Sequence, residues 1–181
     1  MPTPLRSPIA SLWQTPGFSL VELLVTLGIL AILLGMAAPA FRRQLAVAAV
    51  DSAAGQMLAG LALARRTALS TGRSATFCLT RDGTTCTLGG ADWMLFSNQP
   101  PGVDSRRERD EPYLWQEPLP RGVHVSGTRG YANYLAQPRA ASTLTFTFCH
   151  EALPQRRRSV VVSQTGRPRL VRISDAAGQC T

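Results

Sequence analysis

The chain has 181 residues and a formal net charge of +8 at pH 7, and 45% of its residues are hydrophobic. This length allows one soluble domain beside a membrane anchor. No nucleophile elbow, phosphate-binding loop or paired-carboxylate signature occurs, and the two histidines, His124 and His150, are isolated, so an enzyme is not expected.

The charge is unevenly placed. From residue 121 to the C-terminus there are nine arginines against Glu151 and Asp175, which gives +7 for this third of the chain. Such a distribution indicates an acidic partner, such as nucleic acid or an anionic surface polymer. A solvated face that keeps the domain soluble explains it equally well on charge alone.

The first element is an apolar run, 18–41, in which Glu22 is the only acidic side chain. A helix of this length crosses roughly 30 Å of hydrocarbon. A charge at membrane depth is costly and usually has a partner. No small-x-small cleavage site follows the run, so a cut is expected before it. Cleavage between Gly17 and Phe18 would free an amino group close to Glu22.

The next segment, 42–72, is predicted to be an amphipathic helix, because its apolar residues recur at steps of three and four. Gly72 marks its end, since glycine readily adopts the conformation that terminates a helix. The apolar face consists of Val47, Val50, Ala54, Met57, Leu58, Leu61, Ala64 and Ala68.

The remainder, 73–181, is predicted to be a β-rich domain of short strands separated by Gly and Pro. The proline-rich stretch Asn98–Pro120 is expected to be an exposed loop, and Tyr131–Tyr134 a second loop or a site of core packing. The predicted strands are Ser74–Thr80, Trp93–Ser97, Val123–Ser126, Thr143–Cys149, Ser159–Ser163 and Arg169–Ser174.

Four cysteines in an exported domain are most simply two disulfides. Cys78 and Cys86 flank Asp82-Gly83, a strong turn signal, so they are predicted to pair across a hairpin. Cys149 and Cys180 then pair by elimination. A zinc site is the competing interpretation, but no ligand spacing supports it; no metal and no cofactor are expected.

Near the C-terminus, Gly166 and Pro168 predict a tight turn between two strands. Arg167 and Arg169 lie two residues apart, so on an extended backbone they would point to the same side. The run 156–158 is three arginines that precede the strand before this turn, and it is expected at the opposite end of the hairpin. An ordinary exposed turn is the alternative to a binding site.

The segment Gly17-Phe18-Ser19-Leu20-Val21-Glu22 resembles the processing site of type IV prepilins and type II secretion pseudopilins. The resemblance implies that 1–17 is a leader, that a prepilin peptidase cuts after Gly17, and that the new N-terminal Phe18 is methylated. It also implies that Glu22 neutralises the N-terminus of the adjacent subunit during assembly, and that Pro39 occupies the position of a helix-kinking proline.

A β-rich domain that follows such a helix and contains Gly166-Arg167-Pro168-Arg169 is similar to the GspH/FimT family of minor pilins and pseudopilins. The Gly-Arg-x-Arg pattern matches the DNA-binding motif of the FimT branch, which implies DNA contacts by Arg167 and Arg169 in natural transformation. The fold implied is α+β, with a long N-terminal helix packed on an antiparallel β-sheet domain.

Two functions follow from these features. In the first, the chain is a minor pilin of a type IV pilus that binds DNA during uptake. In the second, it is a pseudopilin of a type II secretion system that contacts other pseudopilins or secreted cargo. In both, the expected location is the inner membrane, with a single span and a periplasmic C-terminal domain, and other pilins or pseudopilins are the expected partners.

Overall fold

The computed structural model of the protein describes residues 17–99, 105–135 and 143–173. The chain forms two compact units, Met1–Ala40 and Phe41–Thr181. One helix, α1 (Leu20–Thr71, 52 residues), contributes to both and contains Pro39. Within the described residues, α1 is also the one helix that is long and apolar enough to cross a membrane.

Strands follow the helix in the described part of the chain. They are β1 (Ala75–Thr80), β2 (Asp92–Ser97), β3 (Tyr113–Pro118), β4 (Val123–Gly127), β5 (Tyr131–Tyr134), β6 (Leu144–His150), β7 (Leu153–Val162) and β8 (Pro168–Ile173). They form two four-stranded sheets of order β3-β2-β1-β5 and β4-β6-β7-β8, in which every pairing is antiparallel. The predicted α+β fold is confirmed.

In the second unit, α1 buries a stripe of mostly small side chains. The predicted spacing holds, because residues three and four apart share a helix face. The helix ends as predicted: Gly72 has φ +67°, a conformation that glycine adopts without strain. The buried residues of α1 are Ala46, Val50, Ala53, Ala54, Met57, Gly60, Leu61, Ala64 and Ala68.

The main hydrophobic core joins this stripe to both sheets, and a smaller cluster of Cys78, Met94 and Phe96 is separate from it. Phe77 of β1 stacks on Trp93 of β2 with ring centroids 5.1 Å apart, and Trp93 meets Phe148 of β6 in the other sheet at 6.2 Å. Gln56 of α1 fixes the same indole, because its Oε1 accepts a hydrogen bond from Trp93 Nε1 at 3.0 Å. The helix therefore packs on both sheets through one continuous set of contacts.

The prediction of one exposed loop over Asn98–Pro120 is wrong in two places. β3 occupies its end, where it pairs with β2 at the edge of the first sheet. Glu111 is only 4% exposed, and its carboxylate accepts hydrogen bonds from the backbone N–H groups of Gln99 and Glu108, both at 2.9 Å. Arg107 donates to the Glu111 carbonyl, so this segment is fixed by internal contacts.

The other differences concern one additional strand and the start of another. Tyr131–Tyr134 is a strand, β5, that pairs with β1, so its interpretation as a loop is wrong. β7 begins at Leu153, not at Ser159. The sequence did not predict the first half of β7, because the three consecutive arginines at 156–158 interrupt the apolar pattern typical of a strand.

Cys78 and Cys86 form a disulfide. Cys86 lies outside the named strands and contacts β1 through a single bridge to Thr80, so the two cysteines do not face each other across a regular hairpin as predicted. Asp82 organises the intervening turn, and hydrogen bonds from the backbone N–H groups of Thr85 and Thr84 hold the pKa of this carboxyl well below its usual range. Cys180 lies outside the described residues, so its pairing with Cys149 stays a prediction.

The close approach of α1 to the first sheet yields a test at Gly60, where an added Cβ would overlap the rings of Phe77 and Trp115. We expect Gly60→Ala to lower the free energy of unfolding by about 1–2 kcal/mol, because overpacking by a methyl group costs more than the ~1 kcal/mol that alanine gains over glycine in a helix. Gly55→Ala is the matched control, since nothing lies within 4 Å of its added Cβ, and it should be neutral or stabilising. Denaturant unfolding of the full chain measures both, and equal stabilisation by the two substitutions would contradict the packing described.

Candidate functional site

The N-terminus of α1 contains the first group of predicted site residues. Ser19 caps the helix, because its Oγ accepts a hydrogen bond from the N–H of Val21 at 3.2 Å and its carbonyl accepts one from Leu23 at 3.1 Å. Glu22 lies in the first turn and is exposed, and Phe18 is 82% exposed. Gly17, Phe18 and Glu22 are thus exposed at the N-terminal end of α1, within the Met1–Ala40 unit.

The second group lies at the turn between β7 and β8. Gly166 has φ +72°, and its N–H donates to the carbonyl of Ser163 at 2.8 Å. The N–H of Ser163 in turn donates to the carbonyl of Arg167 at 3.2 Å, which closes the hairpin. The turn therefore requires glycine at 166, because glycine adopts a positive φ without strain.

A side chain from the other sheet holds this turn. The hydroxyl of Tyr134, on β5, donates a hydrogen bond of 3.1 Å to the carbonyl of Gly166. Tyr134 is 4% exposed, and burial raises its pKa to about 12. The phenol therefore remains a donor over the physiological pH range, so the turn is tied to the core as well as to its own strands.

Arg167 and Arg169 are both exposed beside the anchored turn. Arg169 is the register partner of Val161, whereas its neighbours Pro168 and Leu170 pair with the buried Val162 and Val160. Because successive side chains of a strand alternate in direction, Arg169 lies on the face of β8 opposite to the core. Neither guanidinium has a hydrogen-bond or ion-pair partner among the described residues.

The run 156–158 lies within β7 at the end remote from Gly166. Arg158 is the register partner of Arg172, and its Nε contacts Asp51 Oδ1 of α1 at 2.6 Å. The expectation that these arginines precede the strand is wrong, whereas the expectation that they lie at the opposite end of the hairpin is correct. They do not join Arg167 and Arg169 in one site.

Sequence reasoning missed a groove beside the turn. It has a volume of about 500 Å³ and lies between the C-terminal turns of α1 and the start of β8, where it is lined by Ala62, Arg65, Arg66, Leu69, Ser70 and Pro168. Arg66 is exposed and Arg65 half-buried. The signal available was the Arg65-Arg66 pair on the polar side of the amphipathic helix, but only the fold brings it next to Pro168.

The two histidines belong to the second sheet. His124, on β4, faces Cys149 in the register, and its Nε2 lies 3.9 Å from Glu151 Oε2. His150 ends β6, and its Nδ1 accepts a hydrogen bond from the N–H of Ala152 at 3.0 Å. Within the described residues, no group of three or more histidines, cysteines or carboxylates is arranged to hold a metal ion.

Comparison with protein families identifies the chain. The family described as "Type II transport protein GspH" matches residues 53–166, which contain most of the helix that packs on the sheets and all but the last strand. The chain belongs to the GspH family. The prokaryotic N-terminal methylation motif matches residues 16–38, the segment that contains Gly17, Phe18 and Glu22. No curated protein sequence matches the chain significantly.

The fold is shared with a solved minor pilin. The type IV minor pilin FimU of Pseudomonas aeruginosa is 20% identical, with a TM-score of 0.54 over 73% of this chain and 95% of that one. The minor pseudopilin EpsH of the Vibrio cholerae type 2 secretion system is 14% identical, with a TM-score of 0.49 over 68% of this chain and 96% of that one. The family and the methylation motif, rather than these structures, make the chain a minor pilin or pseudopilin, a structural and non-enzymatic subunit of a type IV or type II filament system.

The bond between Tyr134 and the Gly166 carbonyl yields a second test. Tyr134→Phe removes the donor and leaves a buried carbonyl without its partner, so we expect a loss of about 1 kcal/mol or more in the free energy of unfolding. In the parent chain, stability should also fall as the pH rises from about 10 to about 12, because the unfolded tyrosine ionises first. Alkaline unfolding curves of both chains measure this. The assignment would be contradicted if the stability of the parent chain did not fall over this pH range. It would also be contradicted if the Tyr134→Phe chain lost as much stability over the same range as the parent.

Proposed function

We propose that this GspH-family subunit binds DNA through the Gly166 turn, as a minor pilin that takes part in natural transformation. The observation that carries the proposal is the anchoring of that turn: a buried hydroxyl fixes its backbone, while Arg167 and Arg169 stay exposed beside it. Because the backbone of the turn is already fixed, binding phosphate there requires ordering of the two side chains but not of the turn.

The charge around the turn supports the same proposal. Arg65 and Arg66 line the adjacent groove, and the segments that form this end of the domain, 60–75 and 163–170, contain no acidic residue. A surface of one sign attracts a polyanion and raises its rate of association. Contacts to phosphate position a protein on DNA without reading the bases, so binding with little sequence preference is expected.

Replacing Arg167 and Arg169 by glutamine tests the proposal. We expect weaker binding to duplex DNA and a shallower dependence of log affinity on log salt, by up to about two units if each arginine holds one phosphate, because the slope is about −0.9 per phosphate. Fluorescence anisotropy at several salt concentrations measures both quantities.

The matched control replaces Arg121 and Arg129, two arginines that are exposed in turns and have no side-chain partner among the described residues. It removes the same charge from another part of the domain, so it should change affinity and slope much less. Arg107 is unsuitable, because it stacks on Tyr113 with its Cζ 3.9 Å from the ring centroid. Equal effects of the two double variants, or wild-type binding by a folded Arg167→Gln/Arg169→Gln chain, would refute a DNA site at this turn.

A type II secretion pseudopilin is the second candidate. The observation that favours it is the family itself, whose description names type II transport. In that role the subunit contacts other pseudopilins or cargo, and Arg167 and Arg169 are solvated. Genes for a pilus or for a secretion system beside this one distinguish the candidates, and so does the DNA measurement.

The methylation motif supports a further proposal, which concerns processing of the N-terminal segment. We propose that a prepilin peptidase removes 1–17, that Phe18 is then methylated, and that Glu22 pairs with the N-terminus of a neighbouring subunit. Before assembly, the subunit is held in the inner membrane by a single span, with its C-terminal domain in the periplasm. Phe18, just before α1, and Glu22, in its first turn, are both exposed, which fits the three steps.

Mass spectrometry of filament-associated protein tests the cut, and we expect an N-terminal Phe18 with one added methyl group. Glu22→Gln should be processed normally yet fail to assemble, because the amide keeps the size of the side chain but not its charge. Glu22→Asp, which keeps the charge, should assemble better than the amide variant. An intact leader in assembled protein, or normal assembly of Glu22→Gln, would contradict the proposed roles.

A further inference from the structure

A second basic surface lies at the end of the β7–β8 hairpin remote from Gly166. We call it the lower arginine patch, and it comprises Arg42 and Arg43 of α1, Arg156, Arg157 and Arg158 of β7, and Arg172 of β8. The proposed DNA site leaves all six unused. Arg42, Arg43, Arg156 and Arg172 are exposed, and Arg157 and Arg158 are half-buried.

Contacts between β7 and α1 bring this patch together. A small cavity is lined by Val47, Val50 and Asp51 of α1 and by Arg156, Arg157 and Arg158. Arg43, Val47 and Asp51 follow one another at intervals of four, so they share one face of the helix. Arg43 therefore lies on the same face as the residues that meet the β7 arginines, about 12 Å along the axis from Asp51.

The direction of β7 decides which end of the domain carries the patch. Arg158 contacts Asp51, whereas Pro168, the register partner of Val162, lies beside the later residues 62–70 of α1. β7 thus runs in the same direction as the helix. Arg156 and Arg157 therefore lie towards the start of the helical segment of this domain, at the level of Val47 and Val50.

One ion pair in the described part of the chain reduces this charge. Asp51 of α1 pairs with Arg158 and also lines the small cavity beside it. Glu151, in the turn before β7, is nearest to His124. The four exposed arginines, Arg42, Arg43, Arg156 and Arg172, by themselves contribute a formal charge of +4.

The sequence places the patch where the chain leaves its apolar segment. Phe41 ends the apolar run, and Arg42 and Arg43 are the first charged residues after Glu22. In a helix anchored in a bilayer, arginines at this position lie at the level of the lipid headgroups, where their stems cover apolar surface and their guanidinium groups reach phosphate.

We propose that the lower arginine patch binds the headgroups of anionic phospholipids around the anchor, with phosphatidylglycerol as the representative lipid. Each arginine close to an anionic membrane surface strengthens binding by about fivefold. The contact orients the domain against the membrane while the subunit awaits assembly, and it ends when the subunit leaves the bilayer. The inference rests on membrane anchoring of the apolar run and is independent of DNA binding.

The test uses the full chain in phosphatidylcholine nanodiscs with and without phosphatidylglycerol. Energy transfer from tryptophan to headgroup-labelled phosphatidylglycerol or phosphatidylcholine measures the preference of the protein for the anionic lipid. We expect the wild-type chain to prefer phosphatidylglycerol and to lose that preference as salt is added. Arg156→Gln/Arg172→Gln should lower the preference by about 25-fold, since two charges that each contribute about fivefold leave the patch.

Arg167→Gln/Arg169→Gln is the matched control, because it removes two exposed arginines from the other end of the same hairpin. It should keep the wild-type preference for phosphatidylglycerol. If the glutamine pair at 156 and 172 impairs folding, Arg156→Lys/Arg172→Lys replaces it and should also keep the preference, because the attraction depends on charge.

Three results would overturn the proposal. The first is an unchanged lipid preference in a folded Arg156→Gln/Arg172→Gln chain or, if that chain does not fold, a lysine pair with no preference for phosphatidylglycerol. The second is an equal loss in the two glutamine pairs, which would show a response to net charge alone. The third is an Arg156→Gln/Arg172→Gln chain that keeps its lipid preference but fails to assemble, which would show that the patch contacts a neighbouring subunit. None of these results bears on the DNA site, which the anisotropy measurement tests separately.

Discussion

The packing of small side chains on α1 against two sheets is the contact on which the rest of the domain depends. Alanines and Gly60 let the sheets approach the helix closely enough for Phe77 and Trp93 to stack beneath it. A larger side chain at Gly60 would separate these layers. β1, β2 and β5 lie in one sheet and β6 and β7 in the other, and the helix joins them into one core together with the direct contact between Trp93 and Phe148.

This arrangement leaves the β7–β8 hairpin with one buried face and an open edge. Val160 and Val162 enter the core, while β8, at the end of its sheet, keeps Leu170 48% exposed. Arginines therefore collect at both ends of the hairpin without entering the core. One end is fixed to the first sheet by Tyr134 and the other to the helix by Asp51, so the same packing positions two separate basic surfaces.

The two units of the chain contain different features. The first unit contains the methylation motif and the exposed apolar residues expected of a filament core, whereas the second contains the folded sheets and most of the charge. Membership of the GspH family fixes the general role, a minor pilin or pseudopilin. We propose that the specific role depends on what the exposed arginines bind.

The sequence by itself determined the local features. The segment Gly17–Glu22, the end of α1 at Gly72, the alternating strand β6 and the glycine turn at 166 are each set by neighbouring residues, so short-range patterns predicted them. β3 and β5 were missed because short strands in Pro- and Gly-rich surroundings form only when a partner strand supplies their hydrogen bonds. The tertiary structure alone decided that Tyr134 holds the Gly166 turn and that Arg158 meets Asp51. Those pairs lie 32 and 107 residues apart, and only packing around the common helix brings them into contact.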